Sequence, residues 1–177
     1  MRTYFFLLFF FLLISLYSCE LDETAESTPQ LFFPLGSIVK FDGDTITKIT
    51  KNDKVAWNEY ALDTVFVSDS IIYFSPMVYA GSGSLVEFSV TESNQETVEL
   101  VWNRELIDPN IIIDSSDYST GVFYLHGTEK SVDFPFEFKP LSEDKEFKLD
   151  FKVTSDASSR FSEYNLVLKI PIKTSDE

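Results

Sequence analysis

One cysteine and one histidine bound the chemistry open to this 177-residue chain. Cys19 has no second thiol to pair with, so an internal disulfide is excluded, and His126 has no second imidazole with which to share a metal. A Ser-His-Asp or Cys-His catalytic set would have to use His126. That residue sits in the turn Leu125-His126-Gly127-Thr128, where an exposed loop imidazole is the expected role. No nucleophile elbow or helix-borne metal motif surrounds it, so the chain reads as a non-enzyme without a cofactor. Carboxylates are the abundant group: 29 acidic side chains oppose 14 basic ones, for a formal charge of −15. This balance argues against nucleic acid as a partner, because affinity for a phosphate backbone comes from Lys and Arg neutralising it. A pair of carboxylates for glycoside hydrolysis is uninformative in so acidic a chain.

Aromatic side chains are the other group with chemical use, since their flat faces suit sugar rings while the rim supplies hydrogen bonds. Trp57 with Tyr60, or Tyr73 with Tyr79, forms a candidate ligand platform. Trp102 falls in phase with Val98 and Leu100 and belongs to the core by that pattern. Trp57 precedes Asn58 and Glu59 in the least regular segment, where the pattern assigns it to neither core nor surface.

The elements that must position these groups begin behind a leader. Residues 4–17 read YFFLLFFFLLISLY behind Arg2, with no acid before Glu20. A membrane span needs about 20 apolar residues, so this shorter run fits the hydrophobic part of a signal peptide. It ends in Leu16-Tyr17-Ser18-Cys19, which resembles the lipobox of bacterial lipoproteins: Leu three places before Cys and a small residue directly before it. Tyr17 departs from the usual small residue, a variation that Bacteroidetes-type lipoproteins tolerate. The resemblance implies cleavage between Ser18 and Cys19 and lipid attachment at Cys19. It also implies an outer-membrane lipoprotein of the cell envelope, exposed at the surface, whose membrane partner is reached through the anchor. Each buried methylene of the acyl chains contributes about 0.8 kcal/mol, enough in sum to hold a domain without a spanning helix.

Glu20 to Pro29 reads ELDETAESTP, too polar to pack, and forms a solvated tether. Acids directly behind the cysteine also resemble the export signal of Bacteroidetes surface lipoproteins, although a plain flexible linker has the same composition. The expected organisation is therefore a signal peptide at 1–18, a lipidated acidic tether at 19–29 and one domain at 30–177. A domain of that length buries about 70% of its unfolded surface and needs no disulfide or metal.

The period of the folded part is two. Val132, Phe134, Phe136 and Phe138 share one face, as do Phe147, Leu149, Phe151 and Val153, and again Leu166, Leu168, Ile170 and Ile172. Pro135 cannot donate to a ladder, which places its strand at an edge or a bulge. Val86, Phe88 and Val90 with Val98, Leu100 and Trp102 flank the polar run Glu92 to Glu96 and read as a hairpin. Upstream, Ser37 to Phe41, Thr45 to Thr50, Thr64 to Ser68 and Ile71 to Tyr79 read as strands. Asp53 to Ala61 is compatible with one or two helical turns capped by Asn52 or Asp53, and too short to settle. About eight strands with polar turns and no intervening helices define an all-β fold, an antiparallel immunoglobulin-like β-sandwich in the broad sense.

Residues 84–172 carry a further likeness. Val86 to Glu92, Asp117-Tyr118, Gly127 to Val132 and Glu143 to Phe147 follow in the order of Calx-beta-like repeats, which the segment resembles. The resemblance implies the sandwich, and with it weak calcium candidates at Glu92, Asp114, Asp117, Glu143 and Asp144. Pro140-Leu141-Ser142 stands where calcium-binding members carry a tight Asp-Asp cluster. Two non-catalytic roles remain open at this stage. One is a surface binding module for an unknown glycan or protein ligand. The other is an adhesion or fibre-assembly accessory that accepts a partner strand beside the Pro135 edge.

Overall fold

A computed structural model describes residues 26–63, 66–67, 70–92, 98–141, 146–158 and 160–173. Cys19 with its signal peptide, and Glu143 with Asp144, lie outside the described residues. Among the described residues fifteen strands follow one another: β1 (Gln30–Phe32), β2 (Ile38–Asp42), β3 (Thr45–Lys48), β4 (Lys51–Ala56), β5 (Glu59–Leu62), β6 (Phe66–Val67), β7 (Ile71–Phe74), β8 (Met77–Tyr79), β9 (Leu85–Glu92), β10 (Val98–Trp102), β11 (Val122–Tyr124), β12 (Ser131–Asp133), β13 (Phe136–Pro140), β14 (Glu146–Ser155) and β15 (Glu163–Lys173). A 3-10 turn at Pro109–Ile111, capped by the Asp108 carboxylate accepting from the Asn110 N–H, is the one helical element among the described residues. No helix there is long and apolar enough to cross a membrane.

The strands form two main sheets and a small one. The larger has the order β11-β9-β14-β15-β5-β4, with β6 also beside β15; the second runs β10-β13-β7-β2-β3; the small one is β1-β8-β12. Pairing is antiparallel except where β15 runs parallel to β5 and β6. The two main sheets pack face to face as a β-sandwich, which the inward side chains state directly. Phe138 of β13 meets Phe147 of β14 at 5.6 Å between ring centroids, and Phe136 meets Phe151 at 6.4 Å. At the other end Trp102 of β10 meets Phe123 of β11 at 4.6 Å and Phe88 of β9 at 6.5 Å. The alternating rows of β14 and β15 are buried as their period of two requires.

Three expectations are corrected. Residues 86–90 and 98–102 are not a hairpin: β9 pairs with β11 and β14, while β10 pairs with β13, so the two strands belong to opposite layers. Period two reports which face is buried and says nothing about which strand is the neighbour. Nor does Pro135 mark an edge of the five-stranded sheet, because β13 is flanked by both β10 and β7; β12, which precedes it, is the edge of the small sheet. Instead β7 with β8, and β12 with β13, make one long antiparallel ribbon in a single register, from Ile72↔Phe138 through Phe74↔Phe136 to Met77↔Asp133 and Tyr79↔Ser131. It breaks where Pro76 and Pro135 withhold their donors, and there it passes from the five-stranded sheet to the small one. The Phe134 N–H still reaches the Pro76 carbonyl at 3.0 Å, and the Asn103 N–H reaches that of Pro135. Finally, Asp53 to Ala61 holds no helical turn; β4 and β5 form a hairpin there with Trp57-Asn58 as its two-residue tip.

The end of the tether is bound rather than solvated from Glu26 onward. Ser82 donates its backbone N–H to the Ser27 carbonyl at 3.1 Å, the Ser27 N–H returns to the Ser82 hydroxyl at 2.6 Å, and the Ser158 hydroxyl donates to the Glu26 carboxylate. Gly81 permits this approach. Its φ is +69°, and a Cβ there would collide with the carbonyls of Ser27 and Thr28.

Candidate functional site

The β4–β5 hairpin is an edge of the larger sheet, and it is irregular: its register shifts between Lys51 and Asp53 and again between Lys54 and Ala56. Such bulges twist an edge and re-aim side chains. The tip is tied down, because the Val167 N–H donates to the Asn58 carbonyl at 2.8 Å and Lys169 forms an ion pair with Glu59. That pair holds the Lys169 ammonium above its ordinary pKa through the Glu59 hydrogen bond. Beside this fixed tip lies a groove of about 670 Å³, with β1, the hairpin and the first residues of β15 as its walls.

Trp57 and Tyr60, the platform expected from sequence, both line it. Trp57 is 87% exposed, and the Lys54 ammonium sits 4.6 Å from the centre of its ring. Tyr60 is half-buried under Lys51, whose ammonium is 4.2 Å from the ring centre and 5.3 Å from that of Phe33. Tyr164 adds a third ring; burial, then the nearby Tyr60, raises its phenol above the ordinary value. Phe32, 43% exposed, contributes a fourth. The same wall holds Gln30, Asn58 and Asn165, which offer amide donors and acceptors, and the carboxylate of Glu163. The Asn165 amide donates to Glu163 at 2.6 Å, and Lys152 pairs with the same carboxylate at 3.7 Å.

Sequence reasoning missed Tyr164, Phe32 and Lys51. Tyr164 was within reach: it is in phase with Leu166 and Leu168, so it faces inward at the end of the row where the sandwich opens. Nothing in the local sequence brings Lys51 to these rings, since the bulged hairpin register does so.

The remaining candidates fall elsewhere. Tyr73 lies on the outer face of the five-stranded sheet, 6.5 Å from Phe41, and Tyr79 on the small sheet, so the alternative platform is not assembled in the groove. Trp102 is 7% exposed in the core, as its phase predicts. His126 is exposed after β11, its backbone N–H donating to Ile111. Glu92 is buried at the end of β9 beside a cleft of about 150 Å³ that also holds Ser119 and Thr120. Asp117 is spent on its own turn, accepting from the Ser119 hydroxyl at 2.6 Å and N–H at 2.8 Å, which lowers its carboxyl below the ordinary value. Asp114 is exposed, and among the described residues no three Asp, Glu, His or Cys gather to hold a metal.

No family model matches the chain, and no curated protein matches it in sequence. The solved structures that resemble it in shape include two from different proteins. One is a cohesin module from a Clostridium perfringens family 33 glycoside hydrolase, with 15% identity, 71% of this chain and 94% of that one covered, and a TM-score of 0.35. The other is the N-terminal domain of PorA, with 17% identity, coverage of 78% and 97%, and a TM-score of 0.29. Likeness at this level carries nothing about ligand or partner. What defines the class is the molecule's own geometry: an all-β sandwich with an aromatic groove at one end.

Proposed function

We propose that the protein is a lipid-anchored, non-catalytic module of the cell envelope that binds a glycan in the Trp57 groove. One observation carries this reading: an indole 87% exposed on a hairpin tip, beside rings and amides in a single groove. Folding gains nothing from displaying so much apolar surface, whereas a sugar ring stacks on it and takes hydrogen bonds from Asn58 and Asn165. The groove also lies where the tether joins the domain, with Thr28 in its wall. Oligosaccharide titration tests the reading: Trp57→Ala is expected to abolish binding, and unchanged affinity contradicts it.

The anchor rests on Leu16-Tyr17-Ser18-Cys19. Cys19→Ala is expected to abolish labelling by radioactive palmitate, and protease shaving of intact cells is expected to remove the domain if it faces outward. A second reading, strand addition during assembly, is favoured at β3 rather than at Pro135. β3 ends the five-stranded sheet, and Ile46 there is 62% exposed beside Phe41 at 37%. It predicts a high-mass ladder in native gels that Ile46→Asp removes.

A further inference from the structure

The cations of β4 are held by rings rather than by carboxylates, as Arg104 is over Tyr118 elsewhere on the surface. Lys139, Lys148, Lys152 and Lys169 each pair with a glutamate. Lys51 and Lys54, both on β4, lie over aromatic rings instead. Among the described residues no carboxylate pairs with Lys51, although the chain has 29 acids for 14 bases. Its ammonium is half-buried, and that burial pushes its pKa below the ordinary value. A cation withdrawn from water without a counter-charge is costly, and the two ring faces replace only part of what water gave.

Lys51 also stands where two hollows meet. It lines the 670 Å³ groove and, on its other side, a hollow of about 250 Å³ with Phe33, Gly36 and Ile49. Among the described residues Glu163 is the one carboxylate in the groove wall, and it already has the Lys152 ammonium and the Asn165 amide as partners. Distant acids of the chain are screened beyond about 8 Å at physiological salt, so the local cation decides which charge is welcome.

From this ammonium between two rings in the groove, without a carboxylate partner among the described residues, we infer that the ligand is an acidic glycan, whose sugar carboxylate takes the Lys51 ammonium as its counter-ion. The inference rests on the glycan reading and narrows it to one chemical class. Lys54, 4.6 Å from the centre of the Trp57 ring, adds a second positive charge beside a residue of the groove wall.

Matched probes test it. The detergent-solubilised full chain is titrated with galacturonate, glucuronate and sialyl oligosaccharides, each as the free carboxylate and as its methyl ester, which keeps the skeleton and removes the charge. The expected result is a preference of at least tenfold for the carboxylate form of the sugar that binds, shrinking severalfold between 0.05 and 0.5 M salt. Lys51→Met is expected to bring the two forms within twofold of each other with the ester affinity unchanged, and Lys51→Arg to keep the preference. Should Lys51→Met fail to fold, the salt dependence of the wild-type preference decides alone. Equal affinity for acid and ester, or a preference that survives Lys51→Met, overturns the inference and leaves the glycan reading standing. Failure of every probe in both forms overturns both.

Discussion

Trp102 stands 7% exposed among Phe88, Phe123 and Phe136, while Trp57 stands 87% exposed over a lysine, and these are the two indoles of the chain. Both belong to aromatic clusters on the same sandwich. Around Trp102 the rings close on one another: Phe88 stacks on Phe134 at 4.2 Å and Phe74 on Phe136 at 5.3 Å, leaving nothing for a ligand to touch. Around Trp57 the partners are ammonium groups and amides, and the groove stays open. The difference comes from chain position. Trp102 ends a strand in phase with the buried face, so packing claims it; Trp57 occupies a two-residue turn, where a bulky apolar side chain has no packing reason to be. Aromatic residues on the buried face of the strands build this fold, and the indole on the hairpin tip marks the site.

Substitutions separate the two clusters, the largest effect first. Trp102→Ala removes the centre of the closed cluster and is expected to cost about 3–5 kcal/mol in chemical denaturation. Gly81→Ala forces a left-handed backbone on a residue with a Cβ, about 1–2 kcal/mol, and it releases the tether end from Ser82, which protease sensitivity at residues 26–29 reads. Asp150→Asn is expected to raise the thermal midpoint slightly at neutral pH. Burial on the outer face of β14 raises the Asp150 carboxyl above its ordinary value, against a smaller opposing pull from Lys148. A raised folded pKa means that stability is gained as pH falls through it, so the advantage of the amide fades in acid. Trp57→Ala is expected to change stability by less than about 0.5 kcal/mol. A loss comparable to that of Trp102→Ala would erase the distinction between the two indoles.

The rows of β14 and β15 and the place of Trp102 were legible because burial on one face imposes alternation, and alternation survives in a single sequence. Partners were not legible. Val86 to Trp102 read as a hairpin because two alternating runs flanked a polar loop, yet β9 and β10 lie in opposite sheets. Pro135 signalled a missing donor correctly, but only its pairing with the Ser75-Pro76 break showed that a ribbon was changing sheets there. The β4–β5 hairpin has no local signature, because Trp57-Asn58 lacks the glycine that usually announces so tight a turn. Trp57 and Tyr60 were named from residue type alone. The groove itself, with Lys51, Phe32 and Tyr164, depends on contacts between β1, β4 and β15 that no local pattern encodes.

Trp102→Phe leaves Trp57 as the sole indole, so its emission becomes a direct report from the groove. In a titration of that variant with the acidic oligosaccharides, the expected result is a saturable change in intensity and wavelength that disappears when Trp57→Phe is added. Emission that stays flat through millimolar sugar, in a variant shown by its thermal transition to be folded, would contradict it.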